Sequence, residues 1–259
     1  MHAMMNIALR AARSAAEALL QKSDRLDRIK IINSDPLNFI SSADRDSEAI
    51  ILHHLHKAFP NHSILSRISE KIEGDREAAT WLIDPLIGSL NYSRGIEQYG
   101  VAIACKIDAN LTVSVILLPA LNEEFTATRG EGSQLNNRRV RVSDLKDNNY
   151  PIFALESEVA NFSQLSSIMQ SLTNSKASWR MTGSSAINMA YTAAGRFTAG
   201  WCVNQMSNSQ QAAILLLTEA GALIGSENGN PDLNTASELL FASPKIFKSL
   251  VKIRQTQCN

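Results

Sequence analysis

The stretch Trp81–Leu82–Ile83–Asp84–Pro85–Leu86–Ile87–Gly88–Ser89–Leu90–Asn91–Tyr92 constrains this chain more than any other. It opens as a short apolar run, the pattern of a buried strand. Asp84–Pro85 then reads as a turn initiator. Gly88–Ser89–Leu90–Asn91 reads as a tight turn whose backbone N–H groups are able to face an anion. The expectation is a carboxylate at a strand end beside a small anion-binding turn, a suitable place for a metal–phosphate site.

Around this stretch the chain alternates helix and strand patterns. Met4, Ala8, Ala11, Ala15 and Leu19 recur at helical spacing, with small residues that let a neighbour approach closely. Residues 22–36 are polar and read as a solvated loop. Asp44, after Ser41–Ser42, reads as the N-cap of a second helix carrying Ile51, His54, Leu55 and Ala58 on one face. His53, His54 and His56 have no Glu or Cys at ligand spacing, so they read as a helix face and not as a metal site. Strands are expected at 101–104 and 112–116, turning at Asp108–Ala109–Asn110, and at 124–128, turning at Gly130–Glu131–Gly132. Asn136–Asn137 leads into a strand over 138–142 that places Arg139 and Arg141 on one face, near Arg129. That face is either solvated or a phosphate or RNA contact. From Tyr150–Pro151 onward a second half begins: a strand at 152–155, a helix over 162–172, and a helix over 185–194 stopped by Gly195. The division expected is an N-terminal subdomain, 1–148, and a C-terminal one, 149–259, in one compact fold.

Composition excludes several classes. With 25 basic and 25 acidic residues, nothing draws the whole chain to nucleic acid or membrane. Cys105, Cys202 and Cys258 are too few and too scattered for a disulfide framework or zinc site. Arg10 and Arg13 interrupt any signal-peptide core, and no apolar run is long enough to span a bilayer. A cytoplasmic protein is expected.

The Trp81–Tyr92 stretch resembles the signature of the inositol monophosphatase family, a strand followed by Asp-Pro-(Ile/Leu)-Asp-Gly-Thr. The opening residues 1–8, the block Glu123–Gly132, Thr182–Gly183–Ser184 and Ala193–Ala194–Gly195–Arg196 resemble its SuhB-like bacterial branch most. The resemblance covers nearly the whole chain and implies a layered α-β-α-β-α sandwich, α/β in class. It implies magnesium-dependent, lithium-sensitive hydrolysis of small phosphate esters, commonly by a homodimer, with monomers in the SuhB branch. For that branch it also implies a Nus-type role: ribosomal-RNA antitermination and rRNA maturation, with Nus factors and RNA polymerase as partners.

The departures from the pattern are the main result of the sequence. The family's metal positions fall on Arg67, Asp84, Leu86, Ile87 and Ser209, where Arg67, Ile87 and Ser209 replace three carboxylates. The first of these is a Glu that also orients the attacking water, and its neighbour in the pair is Ile68. Asp44 matches an aspartate that helps hold metal or its water, and Ser89 the signature threonine. A substrate-facing glutamate falls on Cys202, whereas Gly88, Ser89, Gly183 and Ser184 persist as a substrate- or anion-binding vestige. Mg²⁺ is held by oxygen, largely carboxylate, with several waters. Two unit charges about 4 Å apart interact by about 4 kcal/mol at an effective dielectric of about 20, and a divalent ion doubles the repulsion from Arg67. Glu70 lies about 10 Å along the chain and on the other face, which makes it the weaker alternative as a substitute. Ser209 keeps only the N-cap role before Gln210–Leu217. The expectation is a catalytically inactive SuhB-like protein without a bound cofactor, with Arg67 as the counter-ion of Asp84 or Asp44. The alternative is a magnesium-dependent inositol-1-phosphate or sugar-phosphate phosphatase with an altered metal site. A third reading is a sensor that binds an anionic metabolite without cleaving it.

Overall fold

In the computed structural model, residues 2–75, 78–143, 151–156, 165, 166, 169, 170, 172, 177–203 and 205–256 are described. The chain opens with α1 (His2–Ser23), followed by the short strands β1 (Ile31–Asn33) and β2 (Ile40–Ser41), then α2 (Ser42–Ala58). β3 (Ser63–Ser66) and β4 (Thr80–Ile87) are parallel neighbours, and the short helix α3 (Ser89–Ser93) follows the turn at Gly88. β5 (Gly100–Ile107), β6 (Asn110–Leu118), β7 (Glu123–Thr128), β8 (Gly132–Leu135) and β9 (Arg138–Val140) complete a seven-stranded sheet in sequential order, antiparallel from β4 onward. The second half carries β10 (Ile152–Glu156), β11 (Ser178–Arg180), α4 (Ser185–Ala193), β12 (Ala199–Val203), α5 (Asn208–Glu219), β13 (Leu223–Gly225), β14 (Glu238–Ala242) and α6 (Pro244–Thr256). Its five strands run β11-β10-β12-β14-β13.

Burial explains the layering. One face of the large sheet packs on α1 and α2 through Trp81, Ile83, Ile103 and Val115. Ala8, Ala11, Ala12 and Ala15 of α1 are fully buried there, as their spacing predicts, and Tyr92 Oη donates to the Leu19 carbonyl at 2.7 Å. The other face packs on α4 and α5 through Leu82, Ile116 and Phe125, and those helices also cover the small sheet. Beyond the small sheet, Leu165, Leu172 and α6 close a third cluster around Trp201. The order is helix, sheet, helix, sheet, helix, as the sequence led us to expect.

Several local expectations need correction. Residues 22–36 are not simply loop: β1 pairs antiparallel with β2, Ile31 with Ser41 and Asn33 with Ile40, a contact that local polarity does not disclose. β4 does not end at Asp84–Pro85 but runs to Ile87. Proline has no N–H to donate, and the β4–β5 register shifts there instead of stopping. β9 ends at Val140, so Arg141 lies beyond the strand and the two arginines do not share a strand face. The N-cap of α2 is Ser41, with Asp44 as its reciprocal partner three residues on. The N-cap of α5 is Ser207, whose hydroxyl accepts from Gln210 N, so Ser209 sits inside the first turn. Much of the helix expected over 162–172 and the residue Cys258 lie outside the described residues; those described at 165, 166, 169, 170 and 172 are helical.

Candidate functional site

A cleft of about 360 Å³ opens where the end of β4 meets the C-terminal half. Gly88 turns the chain there with φ +69°, and a Cβ would stand 2.5 Å from the Gln98 carbonyl, so only glycine fits without a shift. Asn91 ties the two halves together: its side-chain amide donates to Gln98 O at 2.8 Å and to Thr182 O at 2.7 Å. Asn208 does the same beside the cleft, donating to Leu65 O and Ile83 O at 2.9 and 3.0 Å, where β3 runs alongside β4.

Arg67 is the centre of the N-terminal wall. Its Nε donates to Asp84 Oδ1 at 2.8 Å and its Nη2 to Asp44 Oδ1, with longer contacts to the Leu86 and Phe39 carbonyls at 3.4 Å. The side chains of Asp44 and Asp84 are 0% and 5% exposed, and that of Arg67 21%. Burial alone would lower the guanidinium pKa; the two carboxylates outweigh it and hold it raised. Asp44 has further donors: Ser41 N and Oγ, both at 2.8 Å, and Ser89 Oγ at 2.7 Å. The Ser89 hydroxyl of the expected anion turn is thus given to a buried carboxylate. Nearby, Ser66 Oγ donates to buried Glu48, and Ser47 Oγ to Pro85 O at 2.6 Å.

The donor set does not fit Mg²⁺. Asp44 and Asp84 are spent on Arg67, whose cation stands between them, and no group of three or more His, Cys, Asp or Glu suited to a metal occurs among the described residues. Ile87 lies in the core cluster with its apolar side chain, Ser209 lines the cleft with a hydroxyl, and Leu86 contributes its carbonyl to Arg67. Glu70 is exposed and is not part of the cleft wall.

The C-terminal wall carries Gly183, Ser184 and Cys202, as expected, and one residue that the sequence reading missed. Glu156, at the end of β10, is paired in parallel register with Cys202 on β12. Its Oε2 accepts from Gly183 N at 3.1 Å and from the Asn188 amide at 3.5 Å, and Ser184 N also donates to the carboxylate. Burial pushes its pKa up to about 7, against the pull of those two backbone donors. Burial likewise pushes the Cys202 thiol up, reinforced by Glu156 and Glu238, so it is no nucleophile. Gln210 holds the loop beneath, donating to Val203 O at 2.8 Å and Ser185 Oγ at 3.2 Å and accepting from Gln205 N at 3.0 Å. Only a lone acidic residue at a strand end marks Glu156 in sequence; its partners come from a loop 27 positions later. The expected basic ribbon is elsewhere: Arg129, Arg138, Arg139 and Arg141 are exposed around the β9 edge, with Arg129 donating to Asn110 Oδ1 at 3.2 Å.

No helix among the described residues is long and apolar enough to cross a membrane. The model of the inositol monophosphatase family matches residues 1–258. The chain is 36% identical to a Nus factor SuhB of Pseudomonas aeruginosa over 258 residues, spanning 97% of this chain and 95% of that protein. It is 32% identical to the Nus factor SuhB of Escherichia coli over the same shares. Among solved structures, the extragenic suppressor protein suhB of Bartonella henselae superposes with a TM-score of 0.92 at 28% identity, over 98% of each chain. The inositol monophosphatase of Anabaena superposes at 0.81 with 25% identity, over 98% of this chain and 96% of that one. Sequence and fold agree: the chain is a SuhB-like member of the inositol monophosphatase family.

Proposed function

We propose that this protein acts as a Nus-type factor of the SuhB kind in the cytoplasm, supporting ribosomal-RNA antitermination and rRNA maturation, and that it does not hydrolyse phosphate esters. The observation that carries the reading is the Arg67 guanidinium held between Asp44 and Asp84. An amino-acid cation fills the space between the carboxylates that a divalent ion needs, and repels that ion. Leu86 and Ser89, which the resemblance places at the metal and its nucleophile, face Arg67 and Asp44. The partner half of the reading is supported by relatives named Nus factor SuhB along nearly the full chain. Nus factors and RNA polymerase are the expected partners of a homodimer, and the arginines around β9 are the candidate for any RNA phosphate contact.

Affinity capture from cell extract tests the role: Nus factors or polymerase co-purify, and recovery of neither ends it. The competing reading, a magnesium-dependent phosphatase, requires hydrolysis of inositol 1-phosphate that disappears with Asp84→Asn. Our reading expects no hydrolysis with Mg²⁺ or Mn²⁺.

A further inference from the structure

The two walls of the cleft differ in how their charge is settled. Arg67, Asp84 and Glu156 are the charged side chains lining it. Arg67 is shared with Asp84 and, behind it, Asp44, so its charge is more than balanced. Glu156 on the opposite wall has only neutral donors among the described residues: two backbone amides and the Asn188 side chain. Cys202 on β12 is the titratable group beside it, and its buried thiol stays neutral. Arg180 on β11 turns to the Trp179 carbonyl at 2.8 Å, and α4 presents Asn188. Above about pH 7, where Glu156 is ionised, the cleft therefore carries excess negative charge with one carboxylate lacking a cation. A phosphate ester is repelled by that balance; a cation is attracted.

The rest of the lining is hydroxyl-rich. Ser184, Ser185, Ser207 and Ser209 line the wall around Glu156, with Gln205 and Gln210 among them. Ser184 Oγ has no hydrogen bond within the described residues, and Ser209 Oγ has only a long contact of 3.4 Å to Ser207 Oγ. Leu37 and Leu90 supply an apolar rim. A volume of about 360 Å³ falls in the range of small-molecule pockets.

We propose that the cleft binds a small polyhydroxylated organic cation, its ammonium on Glu156 and its hydroxyls on Ser184, Ser185 and Ser209. This goes beyond the regulatory reading but shares with it the Arg67 ion pair, since loss of that pair would alter the charge balance. The raised pKa of Glu156 supports the placement: a carboxylate without a cation is stabilised when one arrives, and it releases its proton.

The test uses three compounds of one carbon skeleton: N-methylglucamine, sorbitol and sorbitol 6-phosphate, which are cationic, neutral and anionic. Titration calorimetry is run in metal-free, Tris-free buffer, because Tris belongs to the proposed ligand class. N-Methylglucamine binds the wild-type protein at least tenfold more tightly than sorbitol, and the phosphate binds most weakly. Because Glu156 titrates near 7, affinity for N-methylglucamine falls about tenfold between about pH 8 and about pH 6. Glu156→Gln removes both the tenfold preference and the pH dependence. Should that variant fail to fold, the wild-type charge order and pH profile decide alone. Equal binding of sorbitol, tighter binding of the phosphate, a flat pH profile, or no heat at about 10 mM N-methylglucamine overturns the proposal. Capture of Nus factors plays no part in these readings, so either idea is able to fail without the other.

Discussion

Replacing Arg67 by alanine leaves two buried carboxylates where one guanidinium now serves both. Breaking a fully buried ion pair by removing one partner costs about 3–5 kcal/mol, because the remaining charge is stranded. Two observations pull the value to the lower end. The Arg67 side chain is 21% exposed, so water enters when it is removed. Asp44 also keeps its donors from Ser41 and Ser89. The residue left stranded is Asp84, which loses the Nε donor at 2.8 Å. We expect Arg67→Ala to destabilise by about 3 kcal/mol, read as a shift in urea midpoint at constant slope. Asp84→Asn in the Arg67→Ala background should recover about 1–2 kcal/mol, since the neutral amide tolerates burial better than an unpaired anion. Arg67→Lys should fall between, because a point charge cannot reach both carboxylates as the planar fork does. A loss below about 1 kcal/mol, or no recovery from Asp84→Asn, would show that the pair is solvated and worth no more than a surface bridge.

Three further outcomes are expected. Addition of about 10 mM Mg²⁺ leaves the melting temperature unchanged within error, since an ion that does not bind the native state cannot stabilise it; a rise of several degrees refutes this. Ile87→Asp alone restores no phosphatase turnover and destabilises by a few kcal/mol, because it places a carboxylate among core side chains of the α4–α5 layer; measurable hydrolysis contradicts it. Glu156 makes the protein less stable as pH rises. Its folded pKa of about 7 lies above the ordinary 4.5, so the native state holds the proton more strongly and stability falls between these values, then levels off. Glu156→Gln removes that fall and gains at most about 3 kcal/mol above neutral pH, as denaturant titrations across the range will show.

The elements were legible because the patterns that report them are local, whereas their layering came from the family resemblance. The alanine spacing of α1, the apolar run of β4 and Gly195 after α4 each fix an element without distant partners. Arg67 as a counter-ion was legible too, once the resemblance set Arg67 and Asp84 on neighbouring strand ends. Helix caps were less so. At the start of α5, Ser207, Asn208 and Ser209 are all competent caps, and local chemistry cannot choose among them. At α2 the signal existed: Ser41 followed by an acid three residues later is a capping-box pattern, and Asp44 fills its reciprocal place. The β1–β2 ribbon was not legible because its short strands lack an apolar alternation, and the Glu156 site because its donors are brought in by tertiary folding. Asn208, which secures one carbonyl of β3 and one of β4, belongs to the same class.

The residues of the N-terminal wall make sense only as a set. Arg67, on the segment after β3, joins Asp44 from α2 and Asp84 from β4, while Ser89 from α3 caps the cluster. A metal site joins the same elements only when the ion is present, so its fold depends on ion concentration. Here the cation is part of the chain, and the wall is complete at any concentration of Mg²⁺. The consequence is a ratchet. Arg67→Glu on its own would gather three carboxylates with no cation, and Ser209→Asp or Ile87→Asp would add negative charge to a cleft already in excess. Each single substitution is therefore expected to cost stability before any ligand set is complete, and the costs are not expected to add because the groups share one cleft. A surface that a protein partner reads gains from such a wall, since its shape no longer follows the metal.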